Sequence, residues 1–167
     1  MLKLVKPDVK YAGQLERYKD EASKLHRDDA FAGCGLLKTY FTSKQWIENL
    51  IKGNVNFPSS TFFAVDENDY IIGIITIQHN IDNSILRQYG GHIGFNVRNS
   101  ERGKGYGKEI FKLALPECRK IGIKRILITC TADNAACEKI ITDNGGIYES
   151  TVDFKNTPMK RFWITLW

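Results

Sequence analysis

The sequence predicts a mixed α/β fold, in which helices cover both faces of a sheet of about seven mostly antiparallel strands. Short β-branched runs alternate along the chain with segments whose apolar side chains repeat at helical spacing. Two adjacent runs, 61–65 and 70–79, are joined by four polar residues, which is typical of a hairpin. The 167 residues contain no Pro/Ser-rich linker and no repeat, so residues 1–167 are expected to form one domain.

The pattern before the hairpin predicts one strand and two helices. Residues 2–6 have the composition of a short strand that ends at Pro7. Residues 10–26 show helical spacing. A second helix is expected to begin with Ser43 as its N-cap and to end at Lys52.

The pattern after the hairpin predicts a strand at residues 91–97 and then a long helix. Pro116 falls inside the apolar repeat of that helix, so the helix is expected either to kink or to end near Leu115. The β-branched run 124–130 suits a buried parallel strand.

The last part of the chain is predicted to hold one helix and two strands. The helix is expected to start at Asn134 and to close at Gly145-Gly146. Residues 147–154 and 161–167 are expected to form two antiparallel strands.

The loop between the 91–97 strand and the long helix carries the functional signal. It reads Arg102-Gly103-Lys104-Gly105-Tyr106-Gly107-Lys108. A strand, a glycine-rich loop and a helix in this order present several backbone N–H groups to one anion. Glycine also lets the backbone adopt positive φ and approach a ligand closely. The loop therefore predicts a binding site for a phosphorylated cofactor.

The spacing of the loop indicates which cofactor. It fits neither the P-loop pattern nor the dinucleotide-binding fingerprint, because its glycines follow G-x-G-x-G. It fits Arg/Gln-x-x-Gly-x-Gly/Ala, the pyrophosphate loop of the GNAT superfamily (GCN5-related N-acetyltransferases), which the chain resembles over most of its length. The strand Gly-Gly-His-Ile-Gly-Phe and the terminal Arg-Phe-Trp-Ile are similar to a bacterial group of predicted acetyltransferases.

The resemblance implies acetyl-CoA as co-substrate and no metal. The loop Arg102–Lys108 would hold the pyrophosphate, and the strand residues Phe95, Asn96 and Val97 would pair with the pantetheine arm. Asn134 would contact the arm from the other side. The implied reaction is direct transfer of an acetyl group to a primary amine of a small molecule or peptide.

The catalytic groups are predicted less directly. His92 lies on the cofactor strand and could accept a proton from the amine. The alternative is a histidine packed at the start of the strand and hydrogen-bonded to a neighbour. Ile141 stands where many relatives have the tyrosine that protonates the leaving thiolate. The thiolate could leave unaided, since the pKa of a thiol is about 8.5, or Tyr148 or Tyr106 could replace the missing acid.

Two other functions are compatible with the sequence. The missing tyrosine fits a non-catalytic acyl-CoA-binding regulatory module. Residues 98–125 carry nine cations and three acids, which could form a nucleic-acid face. Nucleic acid is not expected as the partner, because the cations centre on a glycine loop and no aromatic residues alternate with them.

Composition limits the cellular setting. The N-terminus lacks the apolar core of a signal peptide, and the longest apolar run is far too short to span a bilayer. The four cysteines show no metal-type spacing, which favours free thiols in the cytoplasm. We expect a monomer or homodimer that does not associate with a membrane.

Overall fold

The computed structural model describes residues 1–26 and 28–167. It contains seven strands in two sheets. The strands are β1 (Lys3–Val5), β2 (Ser59–Val65), β3 (Ile71–Gln78), β4 (Ile93–Val97), β5 (Arg125–Thr131), β6 (Ile147–Phe154) and β7 (Thr157–Thr165). The α-helices are α1 (Ala12–Ser23), α2 (Ser43–Lys52), α3 (Tyr106–Ile121) and α4 (Ala135–Asp143). This confirms the predicted α/β class.

The strands are arranged as β1-β2-β3-β4 in one sheet and β5-β7-β6 in the other. Every ladder between them is antiparallel. The prediction of a parallel strand at 124–130 is therefore wrong as to pairing, since β5 bonds along its length to β7. The β-branched run correctly indicated a buried strand, but burial on both faces does not fix the direction of the partner.

Helices lie on both faces of the larger sheet and enclose two apolar cores. α3 packs on one face, where Ala64 of β2 is buried, and α4 lies against α3 and β5. α1 and α2 pack on the other, where Phe63 and Val65 of β2 are buried. This alternation explains why the three consecutive residues Phe63, Ala64 and Val65 are all apolar, because each face of β2 meets a different layer of helices.

The N-cap of α2 lies one residue before the predicted cap. Thr42, and not Ser43, is the N-cap: its hydroxyl accepts a hydrogen bond from Gln45 N at 3.2 Å. The Gln45 side chain in turn accepts from Thr42 N at 3.4 Å, which completes a capping box. Ser43 is the first helical residue and is buried.

α3 runs without interruption through Pro116. An internal proline costs a helix about 3 kcal/mol. The apolar stripe of α3 includes Ile110 and Phe111, both fully buried, and burying such side chains stabilises by about 1.5–3 kcal/mol each. Burial therefore outweighs the lost hydrogen bond, and the predicted end near Leu115 is wrong.

The chain ends in a tight hairpin between β6 and β7. Its two turn residues, Lys155 and Asn156, have φ values of +50° and +64°, as a type I′ turn requires. In the described part of the chain no helix is long and apolar enough to cross a membrane. The same residues contain no cluster of His, Cys, Asp and Glu that could hold a metal ion.

Candidate cofactor site

A gap separates β4 from β5, and backbone groups of β4 face it. In an antiparallel ladder, alternate residues turn their N–H and C=O groups toward the partner strand, and the residues between them turn these groups away. Arg98 N donates to Ile72 O across the β3–β4 ladder at 2.8 Å, which places the even-numbered residues of β4 in the bonded set. Phe95 and Val97 therefore turn their backbone groups away from β3 and toward β5.

The gap closes at one end, where β4 and β5 meet at His92 and Leu127. His92 N donates to Leu127 O at 2.7 Å, and Leu127 N donates to the imidazole Nδ1 of His92 at 2.9 Å. Gly91 permits this approach, because its φ is +68° and a Cβ there would lie 2.5 Å from Leu127 O. No other backbone hydrogen bond joins the two strands in the part of the chain that the structure describes.

At the other end of β4, the glycine-rich loop forms a cradle of backbone amides, which we define as residues 103–108. None of these six amides has a hydrogen-bond partner among the described residues. Gly103 and Gly105 adopt φ values of +78° and +85°, and α3 begins at the next residue, Tyr106. Free amides at the start of a sixteen-residue helix form a site for an anion.

The three predicted loop cations already have partners inside the protein. Arg102 Nε donates to Val97 O at 3.1 Å. Lys104 pairs with Glu101 at 2.8 Å, and Lys108 pairs with Asp143 at 3.0 Å. The amides of the cradle are therefore its unengaged donors, and the side chains add a partly neutralised positive field.

The start of the loop is anchored by a buried ion pair that the sequence did not reveal. Arg98, only 2% exposed, donates from Nε and Nη2 to Glu21 Oε1 of α1 at 2.9 and 2.7 Å. Its guanidinium also lies over the Tyr70 ring at 4.6 Å. Glu21 accepts a further bond from Ser100 at 3.4 Å. The partners are 77 residues apart, so no local spacing could have indicated them.

A second contact between the same two elements involves a predicted cofactor residue. Asn96 is buried, and its Oδ1 accepts from the Tyr18 hydroxyl at 2.7 Å. Tyr18 and Glu21 lie three residues apart on one face of α1, and Asn96 and Arg98 lie two apart on one face of β4. The two pairs together fix α1 against the cofactor strand.

Asn134 lies at the N-terminus of α4, beyond the end of β5. Its side-chain oxygen accepts from Cys137 N at 3.1 Å, so it is the N-cap of the helix that the sequence predicts here. Its predicted contact with a pantetheine arm stays a prediction.

The predicted catalytic residues do not converge on one point. His92 is at the closed end of the gap, and burial lowers the pKa of its imidazole below the ordinary value. Tyr148 lies on β6, separated from β5 by β7, and its hydroxyl bonds to Thr151 at 2.9 Å. β6 therefore lies two strand spacings from β5, a distance of about 9–10 Å. Both catalytic roles stay predictions, and the position of Tyr148 on the far strand argues against it.

Ile141, at the position of the family tyrosine, is fully buried in the core beneath α3 and α4. A Cβ added to Gly146 would lie 2.4 Å from its Cγ2, so the surroundings leave no spare volume. Placing a tyrosine at Ile141 would overpack this core instead of adding a simple acid. The sequence alone gave no sign of this burial.

These features are compatible with a long ligand that carries phosphate at one end. The cradle suits a pyrophosphate because it offers several amides and has no side chain over Gly103 or Gly105. The gap suits an extended, amide-bearing arm, because the backbone of β4 can pair with it as a neighbouring strand would.

Comparison with known proteins identifies the family. The model of the GNAT acetyltransferase family matches residues 20–145, and the chain belongs to this family. It is an acyltransferase, and its co-substrate is acetyl-CoA. No curated protein matches the sequence.

Solved structures share the fold at low sequence identity. An acetyltransferase from Salmonella typhimurium that modifies the N-terminal serine of ribosomal protein L7/L12 has a TM-score of 0.70 and 15% identity, over 99% of this chain and 95% of that one. The spermidine/spermine N-acetyltransferase SpeG from Vibrio cholerae has a TM-score of 0.68 and 14% identity, over 98% and 93%. The microcin C7 self-immunity acetyltransferase MccE, in complex with acetyl-CoA and AMP, has a TM-score of 0.71 and 20% identity, over 99% and 92%.

Proposed function

We propose that this enzyme transfers an acetyl group directly from acetyl-CoA to a primary amine of a small molecule or peptide. The observation that carries the proposal is the cradle, whose six amides have no hydrogen-bond partner within residues 1–26 and 28–167, at one end of a strand whose backbone faces an open gap. The pyrophosphate would bind the loop Arg102–Lys108, with Gly103, Gly105 and the first turn of α3 as donors.

The pantetheine arm would extend from the cradle along β4. Phe95 and Val97 supply backbone groups that point into the gap. Asn96 is less suited to this role, because its backbone belongs to the set bonded to β3 and its side chain bonds to Tyr18. Asn134 would contact the arm from the opposite wall.

Acetyl-CoA supplies a thioester whose carbonyl carbon a neutral amine can attack. Negative charge develops on the carbonyl oxygen during the attack, and a backbone N–H of β4 directed into the gap would stabilise it. The departing thiol has a reference pKa of about 8.5, so it can leave as a thiolate without a protein acid. Water or an unassigned residue would take the proton of the amine.

The acceptor class is supported by the fold relatives. One modifies an N-terminal serine, and another acts on spermidine, so both act on primary amines. We would incubate the protein with acetyl-CoA and either spermidine or a peptide that begins with serine. Thiol release that depends on the amine, with the acetylated amine detected by mass spectrometry, is the expected result. If acetyl-CoA binds but no thiol is released with these amines or with a wider panel of amines, the proposed acetyl transfer would be contradicted.

The cofactor site is tested by Gly105→Asp. We expect acetyl-CoA to bind the wild-type protein with micromolar affinity, about −8 kcal/mol, and the variant to lose this binding. The carboxylate would repel the pyrophosphate, and a side chain at φ +85° would distort the cradle.

Gly122→Asp is the matched control for this experiment. Gly122 caps the other end of α3 with φ +90°, and it also has open space around its missing Cβ. It should share the backbone strain of Gly105→Asp and retain acetyl-CoA binding in calorimetry. Equal affinities of the wild type and Gly105→Asp for acetyl-CoA would contradict the assignment of the cradle as the pyrophosphate site.

A further inference from the structure

We propose that His92 is a positioning residue: its imidazole joins β4 to β5 and so sets the width of the gap that holds the pantetheine arm. The inference rests on the proposed function. It assigns His92 a role through the strand geometry and not through proton transfer.

The backbone of His92 explains why a side chain is needed at this point. Its carbonyl accepts from Gln78 N of β3 at 2.7 Å, while its N–H turns the other way and donates to Leu127 O. The carbonyl of His92 points toward Gln78 and therefore cannot accept a hydrogen bond from Leu127 N. Leu127 is fully buried, and a buried amide without an acceptor costs about 1–3 kcal/mol. The imidazole Nδ1 takes the place of the missing carbonyl.

The position of this bond gives it influence over the whole gap. Paired strands lie about 4.7–4.9 Å apart, which leaves no room for a ligand between them. β4 and β5 are held together at His92 and belong to separate sheets beyond it. The backbone groups of Phe95 and Val97 lie three and five residues further along the chain. A change in the separation at His92 therefore shifts those groups relative to the opposite wall.

The same bond conflicts with the base role of His92. A neutral imidazole whose Nδ1 accepts a hydrogen bond carries its proton on Nε2, so neither nitrogen offers a free lone pair. Taking up a proton would place an N–H against Leu127 N–H and break the junction. Positioning and proton abstraction are therefore alternatives in this geometry, and they predict different effects on cofactor affinity.

Two variants separate these alternatives. His92→Asn places an oxygen on Cγ, where Nδ1 is attached in histidine, so it can still accept from Leu127 N but cannot act as a base. His92→Leu has similar bulk and no acceptor. Calorimetry would measure the affinity of each for acetyl-CoA and for the nucleotide fragment of coenzyme A that lacks the pantetheine arm.

The positioning role predicts a split between the two ligands. His92→Leu should weaken acetyl-CoA binding by about tenfold or more and leave the fragment within about twofold, because the cradle is distant from the junction. His92→Asn should restore acetyl-CoA affinity to within about threefold of the wild type. Unchanged acetyl-CoA affinity in His92→Leu, or an equal loss in His92→Asn, would overturn the inference.

A measurement on the wild-type protein covers the case in which His92→Leu does not fold. Nitrogen NMR of the imidazole should show Nδ1 unprotonated and Nε2 protonated at neutral pH, and the reverse tautomer would refute the junction. Failure of the proposed function is recognised separately, because the wild-type protein would then bind neither acetyl-CoA nor the fragment.

Discussion

The amide cradle and the His92–Leu127 junction lie at opposite ends of β4 and are specified in different ways. The cradle is built from six consecutive residues, and its conformation follows from glycines within it. The junction is built from residues 35 apart in the sequence, and a side chain completes its backbone pairing. The proposed binding of the phosphate end would thus be a local property of the chain, whereas the width of the gap is a property of the assembled fold.

The two regions also use glycine differently. At Gly103 the backbone needs positive φ, and a Cβ would enter open space. At Gly91 the backbone needs positive φ, and a Cβ would also collide with Leu127 O. The same residue type therefore serves the conformation of a loop in one region and the contact of two sheets in the other.

The largest effect expected from this comparison is that of Gly91→Ala. Backbone strain of about 1–2 kcal/mol and overpacking of about 1–3 kcal/mol should lower the free energy of unfolding by about 3 kcal/mol. Gly103→Ala, with strain alone, should cost about 1–2 kcal/mol. Urea denaturation measures the free energy of unfolding of both variants. Equal losses of stability would show that the close approach of Gly91 to Leu127 O does not add to the cost of the substitution.

A somewhat smaller effect is expected when the anchor of the cradle is broken. Glu21→Gln leaves the Arg98 guanidinium buried without its charged partner. Complete burial of both partners would make this loss about 3–5 kcal/mol, but the Glu21 side chain is 32% exposed, so we expect about 2 kcal/mol.

The measurement for Glu21→Gln is again the free energy of unfolding, followed by calorimetry with acetyl-CoA. Affinity should fall together with stability, because Glu21 also bonds to Ser100 at the start of the loop. Asp20→Asn changes the exposed neighbouring carboxylate and should alter neither quantity. An unchanged free energy of unfolding in Glu21→Gln would show that the ion pair between Arg98 and Glu21 does not stabilise the protein.

The smallest effect is a pH dependence that belongs to the junction alone. Burial lowers the folded-state pKa of His92 below 6.5, so the unfolded chain takes up a proton at this residue before the folded protein does. The contribution of His92 to stability is complete above about pH 6.5 and declines as the pH falls toward the lowered pKa. The cradle contains no histidine.

Urea midpoints measured between about pH 8 and about pH 5.5 test this dependence. The wild-type midpoint should decline more steeply on acidification than that of His92→Asn, which retains the bond and lacks the titration. The other histidines and the carboxylates contribute equally to both proteins. Parallel declines would show that His92 titrates alike in the folded and unfolded states.

Most of the fold could be predicted because its signals are local. Hairpins, helix stripes and the glycine loop each depend on residues within one segment. The N-cap of α2 was misplaced even though the local signal was present, since Thr42-x-x-Gln45 has the capping-box spacing and Ser43 does not have a partner at that distance. The partner of β5 could not be predicted, because a β-branched run is equally suited to parallel and antiparallel neighbours.

The candidate site likewise has a part that local sequence signals predict and a part that depends on contacts between distant residues. The sequence indicated the cradle, since its glycines and its helix start are adjacent. It did not indicate that Arg102, Lys104 and Lys108 would be engaged by Val97, Glu101 and Asp143. The role of His92 depended on a buried amide in a strand 35 residues away, which no spacing within one segment can reveal.

A phosphate site made of main-chain amides has a consequence for how such a sequence can diverge. Every residue except proline supplies the same N–H, so cradle side chains outside the positive-φ positions Gly103 and Gly105 can be exchanged without removing a donor. Gly107 is an exception, because a Cβ there would lie 3.0 Å from Ile140 Cδ1 and press α3 away from α4. The proposed donors of the cradle could therefore be retained while the rest of the chain changes, and the fold itself is shared by proteins at 14–20% identity.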